Sequence, residues 1–189
     1  MKVLDRKHAL AIAFGRITIG IIFLWAGLEK IIGEGLGTWT AAGFLEFATT
    51  GTLGWPFVSG EIAEGTVFNP THDFWVALAA NEAAMTIIDY LVPLGQVAIG
   101  VSLILGLFTR LGSTMGALMM LFFFVAAWDF QFGIVNQHLT YAVMTFGLAV
   151  LGAGNYYGLD ATIRESVGEV SRRWFFSGTG DDDWKVAPA

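Results

Sequence analysis

Cysteine is absent from the 189 residues. Disulfides, thiolate metal sites, iron–sulfur clusters and thiol redox chemistry are therefore excluded for the chain acting alone. Charge is scarce as well, at 14% of residues against 55% apolar. Basic residues are the scarcer sign, ten Lys and Arg against sixteen Asp and Glu, for a net charge of −6. So little positive charge leaves no footprint for nucleic acid. The three histidines, His8, His72 and His138, are far apart, and no H-x-x-x-H or H-E-x-x-H spacing occurs. Metal or haem ligation by paired histidines within a helix is thus disfavoured, and neither group is expected. A P-loop, a dinucleotide fingerprint and a nucleophile elbow are also missing. The glycines of LGAGNYYG follow an apolar run rather than a strand, a weak match to a nucleotide loop. No small-residue cleavage pattern follows the basic start (Lys2, Arg6, Lys7), so the first apolar segment is expected to stay as an anchor.

What the chain has is long apolar runs and a mean hydropathy of +0.63. These predict an all-α, polytopic membrane four-helix bundle, with the bilayer as partner. The spans fall at about 10–32, 87–108, 112–128 and 139–154, the last one short. Pro93 is a candidate kink in the second, and the short turn at 109–111 makes the second and third spans an antiparallel hairpin. Between the first two spans lies a long loop, 33–85, without Lys or Arg but with Trp39, Trp55 and Trp75. Helical pieces are expected in it at 38–47 and from 71–73 onward, with GWPFVSG and FNPTHD as turns. Residues 1–160 form the membrane domain. Residues 161–176 predict an amphipathic surface helix carrying Arg164, Arg172 and Arg173, followed by an unstructured acidic tail. That tail, with its run at 181–183, fits either salt-rich surroundings or an ordinary charged end. Basic residues gather at the N-terminus, at Arg110 and in the C-terminal segment. A multi-pass cell-membrane protein with an extracytoplasmic loop and both termini cytoplasmic follows.

The first span carries the most specific polar signal. Arg16, Gly20, Phe23, Gly27 and Lys30 step by four, three, four and three, which places them on one helix face. That face is either the wall of a polar pocket or a packing seam. A guanidinium at membrane depth costs ~2.5–3.5 kcal/mol. Arg16 therefore either snorkels to the nearby surface or points inward to a carboxylate or an anionic or quinone-type oxygen. Lys30 pairs with Glu29 at the interface or faces the pocket. Gln96, mid-span, is either an interhelical hydrogen bonder, worth ~0.6–2 kcal/mol, or a site residue. Asp129, Asn136 and His138 gather at the outer mouth.

Three stretches resemble a known family. Arg16 with GIIFLWAGLEKI, then LGQVAIGVSLILGLFTRLG, then LGAGNYYGLD look like the DoxX/DoxD family of small four-helix membrane proteins, over most of residues 10–160. The long first loop and the closing GLD favour the DoxD branch, which is similar to the membrane subunit of thiosulfate:quinone oxidoreductase. By resemblance, Arg16, Lys30 and Arg110 match recurrent basic positions, while Gln96 stands where the family often has Glu. The resemblance implies a quinone-interacting redox subunit of the membrane, with thiosulfate as electron donor. Arg16, Gln96 and Lys30 are expected to hold the quinone carbonyls, with Trp25 and Trp128 completing the quinone site and Asp129 and His138 relaying protons. The rival expectation is a non-catalytic accessory or assembly subunit, docked through the Trp-rich loop onto a larger respiratory complex. Either reading brings in another membrane or extracytoplasmic subunit, or a second copy of the chain. A solute transporter lacks the expected internal repeat.

Overall fold

Each long apolar run is a helix in the computed structural model, which describes residues 3–48, 69–128 and 135–163, with 166, 175–176 and 185–186. Helix α1 spans Arg6–Leu28 and continues as π-helical turns over Glu29–Gly35. Helices α2 (Ala42–Ala48) and α3 (His72–Ala79) are short, and α4 (Glu82–Leu105), α5 (Thr109–Ala126) and α6 (Gln137–Val150) are long. A single turn, α7, covers Asp160–Ile163. The fold is all-α. Its described extended residues, Val3–Leu4 and Lys185–Val186, form one two-residue parallel pairing. That pairing corrects the expectation of a wholly unstructured tail.

Capping side chains set the helix starts. The Asn81 side chain accepts from the Ala84 amide at 3.0 Å and starts α4 five residues before the expected boundary. It also divides what reads in sequence as one helical piece from 71–73 onward into α3 and α4. Asn136 accepts from the Leu139 amide at 3.1 Å and starts α6. Between α4 and α5 the chain turns through Gly106 (φ 66°) and Phe108 (φ 52°). A left-handed conformation costs a non-glycine residue about 1–2 kcal/mol. Here the Phe108 amide donates to Asp160 Oδ1 at 2.7 Å, which offsets that cost. The first loop helix begins at Ala42 rather than 38, and of the expected 161–176 helix the described helical residues are 161–163 of the turn α7, with 166 and 175. The GWPFVSG turn lies outside the described residues.

Neighbouring helices run antiparallel, in the order α1, α4, α5, α6. Close approach of α1 and α4 rests on glycine. A Cβ on Gly100 would lie 2.5 Å from the Leu24 amide nitrogen, and one on Gly27 2.8 Å from the Pro93 carbonyl oxygen. Gly112 abuts Ser102 of α4, and a Cβ on Gly116 would meet the Thr145 methyl of α6 at 2.9 Å. Ile19, Phe23, Ile99, Leu103, Met120 and Leu148 fill the space between the four helices. A second core at one end packs α2 and α3 over the bundle through Ala41, Leu45, Trp75, Met85 and Ala126. Asn69 fastens this cap. Its amide nitrogen donates to the Val125 and Ala126 carbonyls at 2.9 Å each, and its oxygen accepts from the Thr71 amide and hydroxyl.

Among the described residues, three helical segments are long and apolar enough to cross a membrane: Arg6–Gly35, Glu82–Leu105 and Thr109–Ala126. Helix α6 has 14 residues, a rise of about 21 Å.

Candidate functional site

The polar face of α1 serves two separate places. Near the middle of α1, Arg16 is fully buried. Its Nη1 donates to the carbonyls of Ala153 (2.9 Å) and Tyr156 (3.2 Å), and its Nη2 to that of Tyr157 (3.2 Å). These carbonyls belong to the turn after α6, within LGAGNYYGLD. Asp160 of the same motif is also fully buried. Its carboxylate accepts from the Phe108 and Thr109 amides and so caps the start of α5. Gly106 and Gly158 lie against the guanidinium, and Gly154 against the Asp160 carboxylate and the Thr109 hydroxyl. The space beside the guanidinium is taken by these carbonyls and glycines, while Arg16 Nε and Thr109 Oγ1 are buried without a hydrogen-bond partner among the described residues. Burial also pushes the Tyr156 phenol up from its ordinary value. Arg16 thus points inward, as one of the two alternatives had it, but to backbone carbonyls.

The second place is a cavity of about 350 Å³ at the capped end, within the size range of small-molecule sites. All four long helices wall it. Ile22, Phe23, Ala26 and Lys30 come from α1 and its π-helical extension, and Gln96 from α4. Helix α5 adds Met120 and Phe123, and α6 adds Gln137, His138 and Tyr141. Trp39, Ala41 and Phe44 of the cap close it from above. The Ala41 amide is held by the Asp89 carboxylate at 2.8 Å, which fixes the roof to α4.

Lys30, Gln96 and His138 join Gln137 and Tyr141 as the polar side chains of this mostly apolar space. Lys30 Nζ donates to the Ala26 carbonyl at 3.0 Å and lies 5.4 Å from the Trp39 ring centroid, a cation–π contact. Gln96 is 3% exposed, and its Oε1 has no hydrogen-bond partner among the described residues. A buried acceptor without a partner costs about 1–3 kcal/mol, and of the five such atoms among the described residues Gln96 Oε1 alone belongs to a residue lining this cavity. The His138 ring stands edge-on to Phe44 and Phe123, at centroid distances of 6.2 and 5.8 Å.

Lys30, Gln96 and His138 therefore meet in one cavity, and Arg16 does not. From Arg16 to the level of Gln96 is roughly ten residues of α1, about 15 Å of rise. Trp25 is 71% exposed on the outer face of α1. Trp128 packs near Phe124 at the end of α5 and is not part of the lining. Asp129 lies outside the described residues. Tyr141, Trp39 and Phe44 join the site without having been singled out as site residues from the sequence. Tyr141 had a signal, since it follows His138 by three residues on α6. The roof residues had none, because their partners are far away in the chain. Among the described residues no group of three His, Asp or Glu is placed to hold a metal ion. No family model, no curated protein and no solved structure matches the chain.

Proposed function

We propose that the protein is a multi-pass membrane protein with four spans and cytoplasmic termini, whose bundle holds the head of a quinone beneath the α2–α3 cap. The carrying observation is the buried, unpartnered Gln96 Oε1, facing a cavity that also receives Lys30 and His138. A quinone needs two polar oxygens met inside an apolar slot, and the residues present fit that need. Lys30 Nζ spends one N–H on Ala26 and keeps two for a carbonyl oxygen. The Gln96 amide donates to a carbonyl or accepts from a hydroxyl, since its oxygen and nitrogen are interchangeable by a flip. Phe44 and Phe123 hold the His138 ring, which is placed to give or take a proton. Trp39 and Phe44 keep water from the head. When bound, the quinone supplies the two-electron, two-proton couple. The DoxX/DoxD resemblance adds the class of donor, a reduced sulfur oxyanion such as thiosulfate, acting at the capped end or through a partner subunit.

The membrane reading is supported by the three long apolar helices and by the placement of charge. Arg6, Lys7 and Arg110 cluster at the uncapped end, whereas Lys30 stands alone among basic residues at the described part of the capped end. Helix α6 is shorter than the ~30 Å hydrocarbon core, a mismatch that a locally thinned bilayer accommodates at modest cost. An assembly role is the second reading. It is favoured by Phe74 and Val76 of α3, 60% and 37% exposed on the cap.

Organic extraction of protein purified from quinone-containing membranes tests the proposal. A stoichiometric quinone that falls away in Gln96→Leu supports it. Protein that is free of quinone, and binds none on addition, sinks it.

A further inference from the structure

Helices α1 and α6 meet along a seam that the cavity does not exhaust. Taken from the capped end, the cavity uses Lys30, Ala26 and Ile22 of α1 and His138 and Tyr141 of α6. On the next turns of the same two helices lies a second, almost wholly apolar groove of about 260 Å³, lined by Gly15, Ile19, Met144, Gly147, Leu148 and Leu151. Because α1 and α6 run antiparallel, Ile22 is followed by Ile19 and Gly15 just as Tyr141 is followed by Met144, Gly147 and Leu151. The groove therefore lies in line with the cavity along the same two helices. From Ile22 to Gly15 it extends about 10 Å along α1. Glycine keeps it open on both walls: a Cβ on Gly15 or on Gly147 would meet no atom within 4 Å. This sets these two apart from Gly20, Gly27 and Gly100, where a Cβ would meet the facing helix at 2.5–2.9 Å. Close packing explains those three and leaves Gly15 and Gly147 unexplained.

Resting on the quinone reading of the cavity, we infer that the α1–α6 groove carries the prenyl tail of the bound quinone. The head enters beneath the cap, and the tail leaves past Ile22 and Tyr141 and lies against Ile19 and Leu148 between the two glycines. A polar head group at one end of a narrow apolar channel selects a ligand with one polar ring and one long hydrocarbon chain. The groove's own chemistry agrees, since it offers no hydrogen-bonding side chain to hold anything else.

The test compares a tail-less naphthoquinone with the same ring bearing a long prenyl tail. Binding is followed by quenching of tryptophan fluorescence in detergent micelles, for wild type, Gly147→Leu and Gly15→Leu. Both new side chains enter open space, so folding is expected to survive, and the two variants fill the groove from opposite walls. The expected result is a loss of about tenfold or more for the prenylated ligand, against less than about twofold for the tail-less one. Equal losses for both ligands, or unchanged prenylated binding in both variants, overturn the inference while leaving the cavity reading intact. Unchanged prenylated binding with loss of co-purified phospholipid assigns the groove to a membrane lipid, and overturns it too. If neither ligand binds wild type, the cavity reading and this inference fall together.

Discussion

Arg16 Nη1 lies 2.9 Å from the carbonyl oxygen of Ala153, a residue 137 positions later in the chain. This bond ties the first long helix to the turn that follows the last. The guanidinium then meets two further carbonyls of the same turn, at Tyr156 and Tyr157, in the field of the buried Asp160. Asp160 in turn holds the first amides of α5. One cation and one carboxylate thereby tie the middle of α1 and the start of α5 to the turn that follows α6.

Arg16→Leu leaves three carbonyls and the Asp160 charge without their cation. Breaking a buried charged contact from one side costs about 3–5 kcal/mol, so a marked fall in thermal stability in detergent is expected. Arg16→Lys is expected to recover little of it, because a point charge replaces a planar fork aimed at separate carbonyls. Quinone bound per folded molecule should stay at the wild-type level in both. Loss of quinone at unchanged stability would place Arg16 back at the ligand.

Gly100→Ala should destabilise by about 1–3 kcal/mol, because the added methyl meets the Leu24 backbone rather than a yielding side chain. Gly43→Ala, on the cap, meets nothing within 4 Å and is expected to be neutral or slightly stabilising, since alanine favours helix. Equal thermal midpoints for the two variants would contradict the glycine seam.

Asn69→Ala removes both donors to the end of α5 and the acceptor for Thr71, at a residue 4% exposed. A loss of about 1–3 kcal/mol is expected. It should appear as faster amide hydrogen exchange in α3 with α1 and α4 unchanged. Uniform acceleration across all the long helices would mean that cap and bundle unfold as one unit.

Much of this architecture is legible in the sequence because helical period and apolarity are local properties. The step Arg16, Gly20, Phe23, Gly27 already marks the buried face of α1, and the structure buries all four. Gln96 and His138 stand out as polar residues on apolar helices for the same reason. The boundaries were less visible. Asn81 and Asn136 act through single side-chain hydrogen bonds to backbone amides, which hydropathy does not register. The division of the α1 face was hidden entirely. Whether Arg16 and Lys30 share one pocket depends on which distant segment fills the space beside each. At Arg16 that segment is the 153–157 turn, and at Lys30 it is the roof formed by Trp39. The pairing of Lys185–Val186 with Val3–Leu4 joins chain ends that carry no periodic pattern of their own.

The central claim is that Gln96 meets the polar head of a quinone inside the capped cavity. The most direct measurement is the affinity of a tail-less naphthoquinone for wild type, Gln96→Leu and Leu94→Ala, the last on the outer face of α4 and 48% exposed. Removing a buried hydrogen-bonding group from the ligand's path should cost about 1–3 kcal/mol, or roughly five- to more than a hundredfold in affinity. Gln96→Leu is expected to lose binding on that scale while remaining folded, because it also removes an unpartnered acceptor from the core, and Leu94→Ala is expected to bind as wild type does. Undiminished binding in Gln96→Leu would contradict the account.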